Sequence, residues 1–310
     1  MASSSSSEST VEEMRNWLEL PPEVMATILQ RLGAVNILTV AQTVCTTWRN
    51  ICKDPAMWRT IDMQNSIDYP DMEYALEKIA KHAIDRSCGQ LIDINIGYYC
   101  TDELLQYITD RTSYLRRLQL VCCYNISDEG FSEAAKKLPL LEELHLYDCS
   151  LSKEAIGTVG RCCPLLRSFK FNNHRFSRPQ IGSDEEALAI AENMPELRHL
   201  QLFGNKITNN GLEAILDGCP HLESLDLRHC LKISLEGNMG KRLHEQIKDL
   251  RRPSDSIADY EFDSQIHDDD SFDDENPSEF SDIDVLSDDD EYYEFSGASD
   301  FSDYEGLAFD

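Results

Sequence analysis

Beyond Arg252 the sequence contains no lysine and no arginine, although 22 Asp and Glu fall between Ser254 and Asp310. The whole chain of 310 residues holds 57 acids and 28 bases, so the remainder carries 35 acids against the same 28 bases. The body therefore reads as a mildly acidic protein and the end as a polyanion. Nucleic acid and anionic lipid bind through neutralisation by Lys and Arg, so neither is an expected partner. No run approaches the roughly 18–20 consecutive apolar residues of a membrane span. The start, MASSSSSESTVEEM, lacks the basic and apolar regions of a secretory signal, and Glu8, Glu12 and Glu13 argue against a transit peptide. Without secretion the eleven cysteines are expected to stay reduced, in the nucleus, the cytoplasm or both.

Motifs of chemistry are also missing. The sequence has no Cys-x-x-Cys, no closely spaced His pair suited to zinc, no Gly-x-Ser-x-Gly, no phosphate-binding Gly loop and no dinucleotide fingerprint. His145 and Cys149 are four apart, but the turn after a strand is expected to separate them. No metal, cofactor or catalytic residue is assigned. Eleven Cys and eight His permit many Cys/His pairs, and nothing favours one of them.

What is present is a repeat. Leu91-x-x-Ile94-x-Ile96 recurs as Leu115-x-x-Leu118-x-Leu120, Leu141-x-x-Leu144-x-Leu146 and Leu166-x-x-Phe169-x-Phe171, then as Leu197-x-x-Leu200-x-Leu202 and Leu222-x-x-Leu225-x-Leu227. The starts lie 24, 26, 25, 31 and 25 residues apart, at or near the leucine-rich-repeat period. Trp58-x-x-Ile61-x-Met63 fits the same frame as an imperfect first unit. The ninth position of each full unit holds Tyr99, Cys123, Cys149, His174, Asn205 and Cys230. In this repeat that side chain turns inward where the strand ends, and Cys is small and readily buried. Cys88, Cys163 and Cys219 share another phase, three residues before a repeat's first Leu, which marks the end of each helix. Cys122 has no role in this scheme beyond packing or exposure. Thr101, Ser127, Ser152, Ser183, Thr208 and Ser234 each precede a helical pattern and are expected N-caps, with Ser183 and Glu186 spelling a capping box.

The expected fold is an α/β solenoid, a short leucine-rich-repeat arc with parallel strands inside and helices outside, preceded by a small all-α box. The divisions are a Ser-rich start (1–16), the box (17–63), a helical cap or first repeat (64–90), repeats with a C-terminal cap (91–252) and an acidic tail expected to be disordered (253–310). Alternation in the strands places Arg117, Gln119, His145, Tyr147, Lys170, Asn172, His199, Gln201, Phe203, Asp226 and Arg228 on the concave face, as an aromatic and mostly basic or neutral patch. Solenoids concentrate binding on that face, so these residues, Asp226 aside, are the candidate contacts to a protein substrate. The longest unit adds a loop around 174–184, a candidate specificity element.

The box itself, residues 18–58, carries two apolar stripes. Val24, Ile28, Leu29 and Leu32 form the first, which Gly33 ends; Ile37, Ala41, Val44, Trp48 and Ile51 form the second over about four turns. A segment this small needs a partner or the repeats to complete its core. Leu20-Pro21-Pro22-Glu23, Ile28-Leu29-x-x-Leu32, Val44-Cys45-x-x-Trp48-Arg49 and Met57-Trp58 resemble an F-box, and an F-box followed by Cys-type leucine-rich repeats resembles the plant F-box/LRR proteins. The resemblance, over roughly 17–235, implies a non-catalytic, substrate-recognising subunit of an SCF-type ubiquitin ligase. The F-box of such a subunit docks on a Skp adaptor, and through it on cullin and RING subunits. Leu20, Pro21, Pro22, Val24, Ile28, Leu29 and Leu32 are the implied adaptor contacts, with Trp48 and Trp58 packing the box. The family's inositol phosphate is not carried over, because this arc lacks a Lys/Arg cluster. The alternatives are a free-standing repeat scaffold whose F-box-like helices only cap the solenoid, and an enzyme using one of the cysteines. Lys241-Arg242 to Arg251-Arg252 is read as the solvated face of a terminal capping helix rather than a nuclear signal. In the tail, Ser271, Ser281, Ser287 and Ser302 each have an acid three residues on, which suits acid-directed kinases. The tail's aromatic-acidic pattern could instead compete for the concave patch.

Overall fold

The computed structural model describes residues 20–63, 73–173 and 182–260, with side chains from Leu76 in the second span. The Ser-rich start, tail residues 261–310 with their candidate phosphoacceptors, and His174 with most of the long-unit loop lie outside the described residues.

Pro22 opens helix α1 (Pro22–Gln30) at the position where its missing N–H has no intrahelical partner in any case, and the Pro21 carbonyl accepts the first bonds, from the Val24 and Met25 amides. Gly33, at φ +76, begins α2 (Gly33–Asn36) at the corner. The second apolar stripe is not one helix as its spacing predicts. It runs through a π-helical turn (Ile37–Ala41) into α3 (Gln42–Val44), then breaks at Cys45, which is extended and whose thiol caps α4 (Thr46–Cys52) at the Trp48 amide. A 3-10 turn (Pro55–Trp58) leads directly into the first strand.

That strand, β1 (Thr60–Asp62), begins an eight-stranded parallel sheet in sequence order. α5 (Glu73–Arg86) follows, then β2 (Asp93–Gly97), α6 (Asp102–Arg111), β3 (Arg117–Val121), α7 (Asp128–Lys136), β4 (Glu143–Tyr147) and α8 (Lys153–Cys162). β5 (Ser168–Asn172), α9 (Glu185–Asn193), β6 (His199–Gln201), α10 (Asn209–Gly218), β7 (Ser224–Asp226), α11 (Asn238–Gln246) and β8 (Asp249–Arg251) complete it. The register never slips: Ile61, Ile94, Leu118, Leu144, Phe169, Leu200, Leu225 and Leu250 form one row across all eight strands. The first seven are no more than 2 % exposed, and each such side chain contributes about 1.5–3 kcal/mol of burial. The imperfect first unit is thus a full member of the sheet. Arg251, expected on a capping helix, stands instead in an eighth strand, because Ile247-x-x-Leu250 repeats the strand frame weakly.

The box is bolted to this sheet rather than hung from it. The Trp58 indole N–H donates to the Cys52 carbonyl at 2.8 Å, and Arg86 of α5 donates to the same carbonyl at 3.1 Å and to Gln42 Oε1 at 2.9 Å. The Arg86 guanidinium lies 5.8 Å from the Trp58 ring centroid. Trp58 is fully buried and Trp48 half-buried against the core.

Each repeat is closed by three backbone devices. The ladder thiols donate to a carbonyl of the preceding repeat: Cys123 to Ile96 (3.7 Å), Cys149 to Leu120 (3.6 Å), Cys230 to Leu202 (2.8 Å). The residue just before the ladder position turns the corner in left-handed backbone, as Tyr98, Cys122, Asp148, Gly204 and His229. Its amide reaches the next repeat; Cys122 N–H donates to Tyr147 O at 2.7 Å, and the other four do the same one repeat along. Cys122 is therefore a corner residue, held at φ +54 against a cost of order 1 kcal/mol.

The third device was invisible as a capping pattern alone. The first helical residue of one repeat binds the cap residue of the next. Asp102 accepts from the Ser127 amide (2.9 Å) and hydroxyl (2.6 Å), Asp128 from the Ser152 amide (2.9 Å), and Asp184 from the Thr208 amide and hydroxyl (both 2.7 Å). Gly130 permits the approach, since a Cβ there would lie 2.2 Å from Asp102 Cγ. Thr101, Ser127 and Thr208 cap their helices as expected. Ser183 does not, because Asp184 takes the cap position and the Ser183 hydroxyl meets the Glu186 side chain instead. Ser234 does not cap either, because α11 starts later, after Gly237. Cys163 and Cys219 end their helices buried, whereas Cys88 is exposed. The acidic tail begins later than 253: residues 253–260 pack against the repeats, the His229 amide donating to Pro253 O.

Asp102→Ala is expected to lower stability in urea unfolding by about 1–2 kcal/mol. Gly130→Ala, favourable by about 1 kcal/mol in an open helix, is expected to destabilise here and to turn favourable in the Asp102→Ala background. Thiol alkylation of the native chain followed by mass spectrometry should label Cys88 first and Cys45, Cys122 and Cys162 slowly. The seven buried thiols should react only on unfolding, since burial pushes Cys219 up to about 11 and Cys163 and Cys230 up to about 12.

Candidate functional site

Two surfaces carry unusual side chains. The first is the outer face of the box. In α1 the inward residues are Met25 and Leu29, 1 % and 0 % exposed, one turn apart. Leu29 is therefore not an available contact, contrary to the single stripe read from sequence: the stripe belongs to two faces, and Leu29 fills the core side. Pro21, Pro22, Val24 and Leu32 are exposed, while Leu20 and Ile28 are half-buried. Val44, which spacing assigns to the second apolar stripe, and Val40, which lies outside both stripes, are open as well: Val40, in the π turn, and Val44, one turn on, are 57 % and 58 % exposed. These open apolar side chains make the outer face of the box a candidate contact surface. The signal available in the sequence was the Val-x-x-x-Val spacing, masked by assigning Val44 to the buried stripe.

The second surface is the concave face of the sheet. Its central row, in register, is Asp62, Asn95, Gln119, His145, Lys170, Gln201, Asp226 and Arg251. A flanking row holds Asp93, Arg117, Glu143, Ser168, His199, Ser224 and Asp249. Neighbours bond sideways along the arc: Asn95 to Asp62 (3.1 Å), His145 Nδ1 to Gln119 Oε1 (3.3 Å), Gln201 to Asp226 (3.1 Å). Arg117 sits between Asp93 (3.3 Å) and Glu143 (3.0 Å), and those carboxylates raise its already high pKa. Burial in turn pushes the Asp93 carboxyl up.

This corrects the expected basic patch. Asp62, Asp93, Glu143, Asp226 and Asp249 outnumber Arg117, Lys170 and Arg251 on these rows, and Arg117 is already engaged. Of these acids, only Asp226 stands among the residues expected on the concave face; Asp62, Asp93, Glu143 and Asp249 share the same alternation. A second correction concerns the third row, at the strand ends. Tyr147, Asn172, Phe203 and Arg228 were expected to face a substrate, and all four are at most 4 % exposed. Lys170 covers Tyr147, its ammonium donating to the hydroxyl at 3.1 Å, and Asn172 Oδ1 accepts from the Phe203 amide at 3.0 Å. Phe203 and Arg228 lie under the segment that follows β8: Tyr260 stacks on Phe203 with centroids 3.7 Å apart, and Asp259 pairs with Arg228. Arg117, Gln119, His145, Lys170, His199 and Gln201 remain open to solvent in whole or part. Lys170, His199 and Gln201 border an open cleft of about 250 Å³ that Asp259 and Tyr260 also line.

Family models match in the same two parts. An F-box-like model covers residues 17–64, the leucine-rich repeats of FBD-associated F-box proteins cover 85–189, and a leucine-rich-repeat model covers 194–216 and 218–237. Among curated relatives, F-box protein SKIP19 of Arabidopsis thaliana is 52 % identical over the full length of both chains. F-box protein FBW2 of the same plant is 30 % identical, covering 77 % of this chain and 75 % of its own. F-box protein SKIP1, also from Arabidopsis thaliana, is 29 % identical over 78 % of this chain and 88 % of its own. A buried apolar row shared by box and arc, an open apolar face on the box and this full-length identity lead to one conclusion: the chain belongs to the plant F-box/leucine-rich-repeat proteins.

Proposed function

We propose that this chain is the substrate-recognition subunit of an SCF-type ubiquitin ligase. In this reading the box docks on a Skp-type adaptor, which carries the cullin and RING subunits, and the concave face holds a protein substrate. The subunit performs no chemistry; it supplies proximity, presenting a substrate to activated ubiquitin held elsewhere. The observation that carries the reading is the pairing of an open apolar face, Val24, Leu32, Val40 and Val44, with a rigid joint to the sheet through Trp58 and Arg86. A rigid joint is what a proximity device requires, because a loose one spreads the substrate over a large volume. The proposed adaptor contacts are Leu20, Pro21, Pro22, Val24, Ile28 and Leu32 with Val40 and Val44; Leu29 supports them from beneath. The proposed substrate contacts are Arg117, Gln119, His145, Lys170, His199 and Gln201.

Val40→Asp with Val44→Asp is expected to abolish co-purification with a Skp-type adaptor and leave thermal unfolding nearly unchanged, since both side chains are already solvated. Leu29→Ala should lose the adaptor only through destabilisation, by about 2–5 kcal/mol. A wild-type chain that retains no adaptor would sink the ligase reading in favour of a free-standing scaffold. Retention by the double aspartate variant would move the docking face elsewhere.

A further inference from the structure

The end of the concave face brings together a cation, Arg228, and an aromatic ring, Phe203. Phe203 is fully buried yet stands outside the continuous apolar core. Its ring is covered by Tyr260, at 3.7 Å and 9° between planes, and by His229, at 5.1 Å and 19°. The Arg228 guanidinium lies 5.9 Å from the same ring. Asp226 fixes that guanidinium through Nε and Nη2, at 2.8–3.1 Å, which aims Nη1 at the Ser256 carbonyl (2.9 Å) and the Asp259 carboxylate. Arg251 adds a second contact to Asp259 at 3.3 Å.

The segment that makes these contacts is lightly held. Asp259 keeps 53 % of its side chain in solvent, Ser254, Ser256 and Ala258 are exposed, and Tyr260 and Ile257 are half-buried. Among the described residues, its backbone-to-backbone bonds after Pro253 are local, from Asp255 to Arg252 and from Tyr260 to Ile257. The buried, pre-oriented Phe203 and Arg228 are therefore covered by a pair of which Asp259 is exposed and Tyr260 half-buried.

We propose that Phe203, Arg228, His229 and Arg251 form a receptor for an acid–aromatic pair, a carboxylate residue followed directly by Tyr or Phe, presented by a partner protein. In the resting chain Asp259–Tyr260 occupies the receptor and serves as an internal competitor. A partner enters by reproducing the same two contacts, the carboxylate on the arginines and the ring on Phe203. The cleft of about 250 Å³ beside Tyr260, bordered by Lys170, His199 and Gln201, takes the residues flanking the pair. Because a docked internal pair lowers apparent affinity by the fraction of receptors left open, removing it raises affinity by the same factor. The site deepens the substrate-recognition reading given above, but its ligand chemistry is measured on the chain alone, without adaptor or ligase.

The test uses the full chain and a fluorescein-labelled peptide of the chain's own residues 256–263, read by fluorescence anisotropy. Asp259→Ala with Tyr260→Ala is expected to bind this peptide about tenfold more tightly than wild type. Binding by that variant should vanish when Arg228→Gln is added, and when the peptide carries Ala in place of its Asp–Tyr pair. Should Arg228→Gln fail to fold, by circular dichroism, Phe203→Leu takes its place and is expected to weaken binding with the fold intact. Equal affinity of wild type and the double alanine variant overturns the proposal and leaves residues 253–260 as a structural cover. Binding that survives the receptor substitutions, or that ignores the Ala peptide, overturns it as well. Loss of adaptor retention, by contrast, bears only on the ligase reading.

Discussion

Everything in this molecule rests on one unbroken register. Ile61, Ile94, Leu118, Leu144, Phe169, Leu200, Leu225 and Leu250 meet across eight strands, and a slip of one residue anywhere would send a leucine into solvent. Because β1 follows Trp58 by only one residue, the register also sets the box against the arc. The two candidate surfaces are thus placed by the same apolar row, although they share no residues.

Polar groups make that register regular. Neighbouring repeats are joined by corner amides, by thiol bonds at Cys123, Cys149 and Cys230, and by carboxylate clamps at Asp102, Asp128 and Asp184, so backbone groups where strand and helix end find partners one repeat away. The clamp explains the acid after each hydroxyl at Thr101-Asp102, Ser127-Asp128 and Ser183-Asp184, although at the third it is Asp184 that takes the cap position. It also explains the glycine at Gly130 and at Gly211, where a Cβ would strike the neighbouring carboxylate. At Ser234 an amide replaces the carboxylate: Asn209 Oδ1 accepts from the Ser234 amide at 2.8 Å, and the helix that follows starts late.

Electrostatics divides the concave face. At its beginning, carboxylates dominate and Arg117 is sandwiched between two of them. Farther along stand Lys170 and His199, and at the end Arg228 lies beneath Asp259 and Tyr260. The concave face is therefore graded rather than uniformly basic, with Lys170, Arg228 and Arg251 in its second half beside Asp226 and Asp249.

The sequence by itself determined the repeat, its period, the inward ladder of Cys123, Cys149 and Cys230, and the helical box in front. Those follow from spacing along a single strand or turn, which local geometry reads directly. The tertiary structure alone decided which residues remain open. Leu29 and Val24 are five apart on one helix and equally apolar, yet one is core and the other surface, because only packing against α4 and the π turn distinguishes the faces. Val44 left its stripe when the helix broke at Cys45. Tyr147, Asn172, Phe203 and Arg228 stand on the concave side as alternation requires, and are buried because later residues, from Lys170 to Tyr260, come back to cover them. Cover by a segment 23–57 residues away is a non-local contact, and no local period contains it.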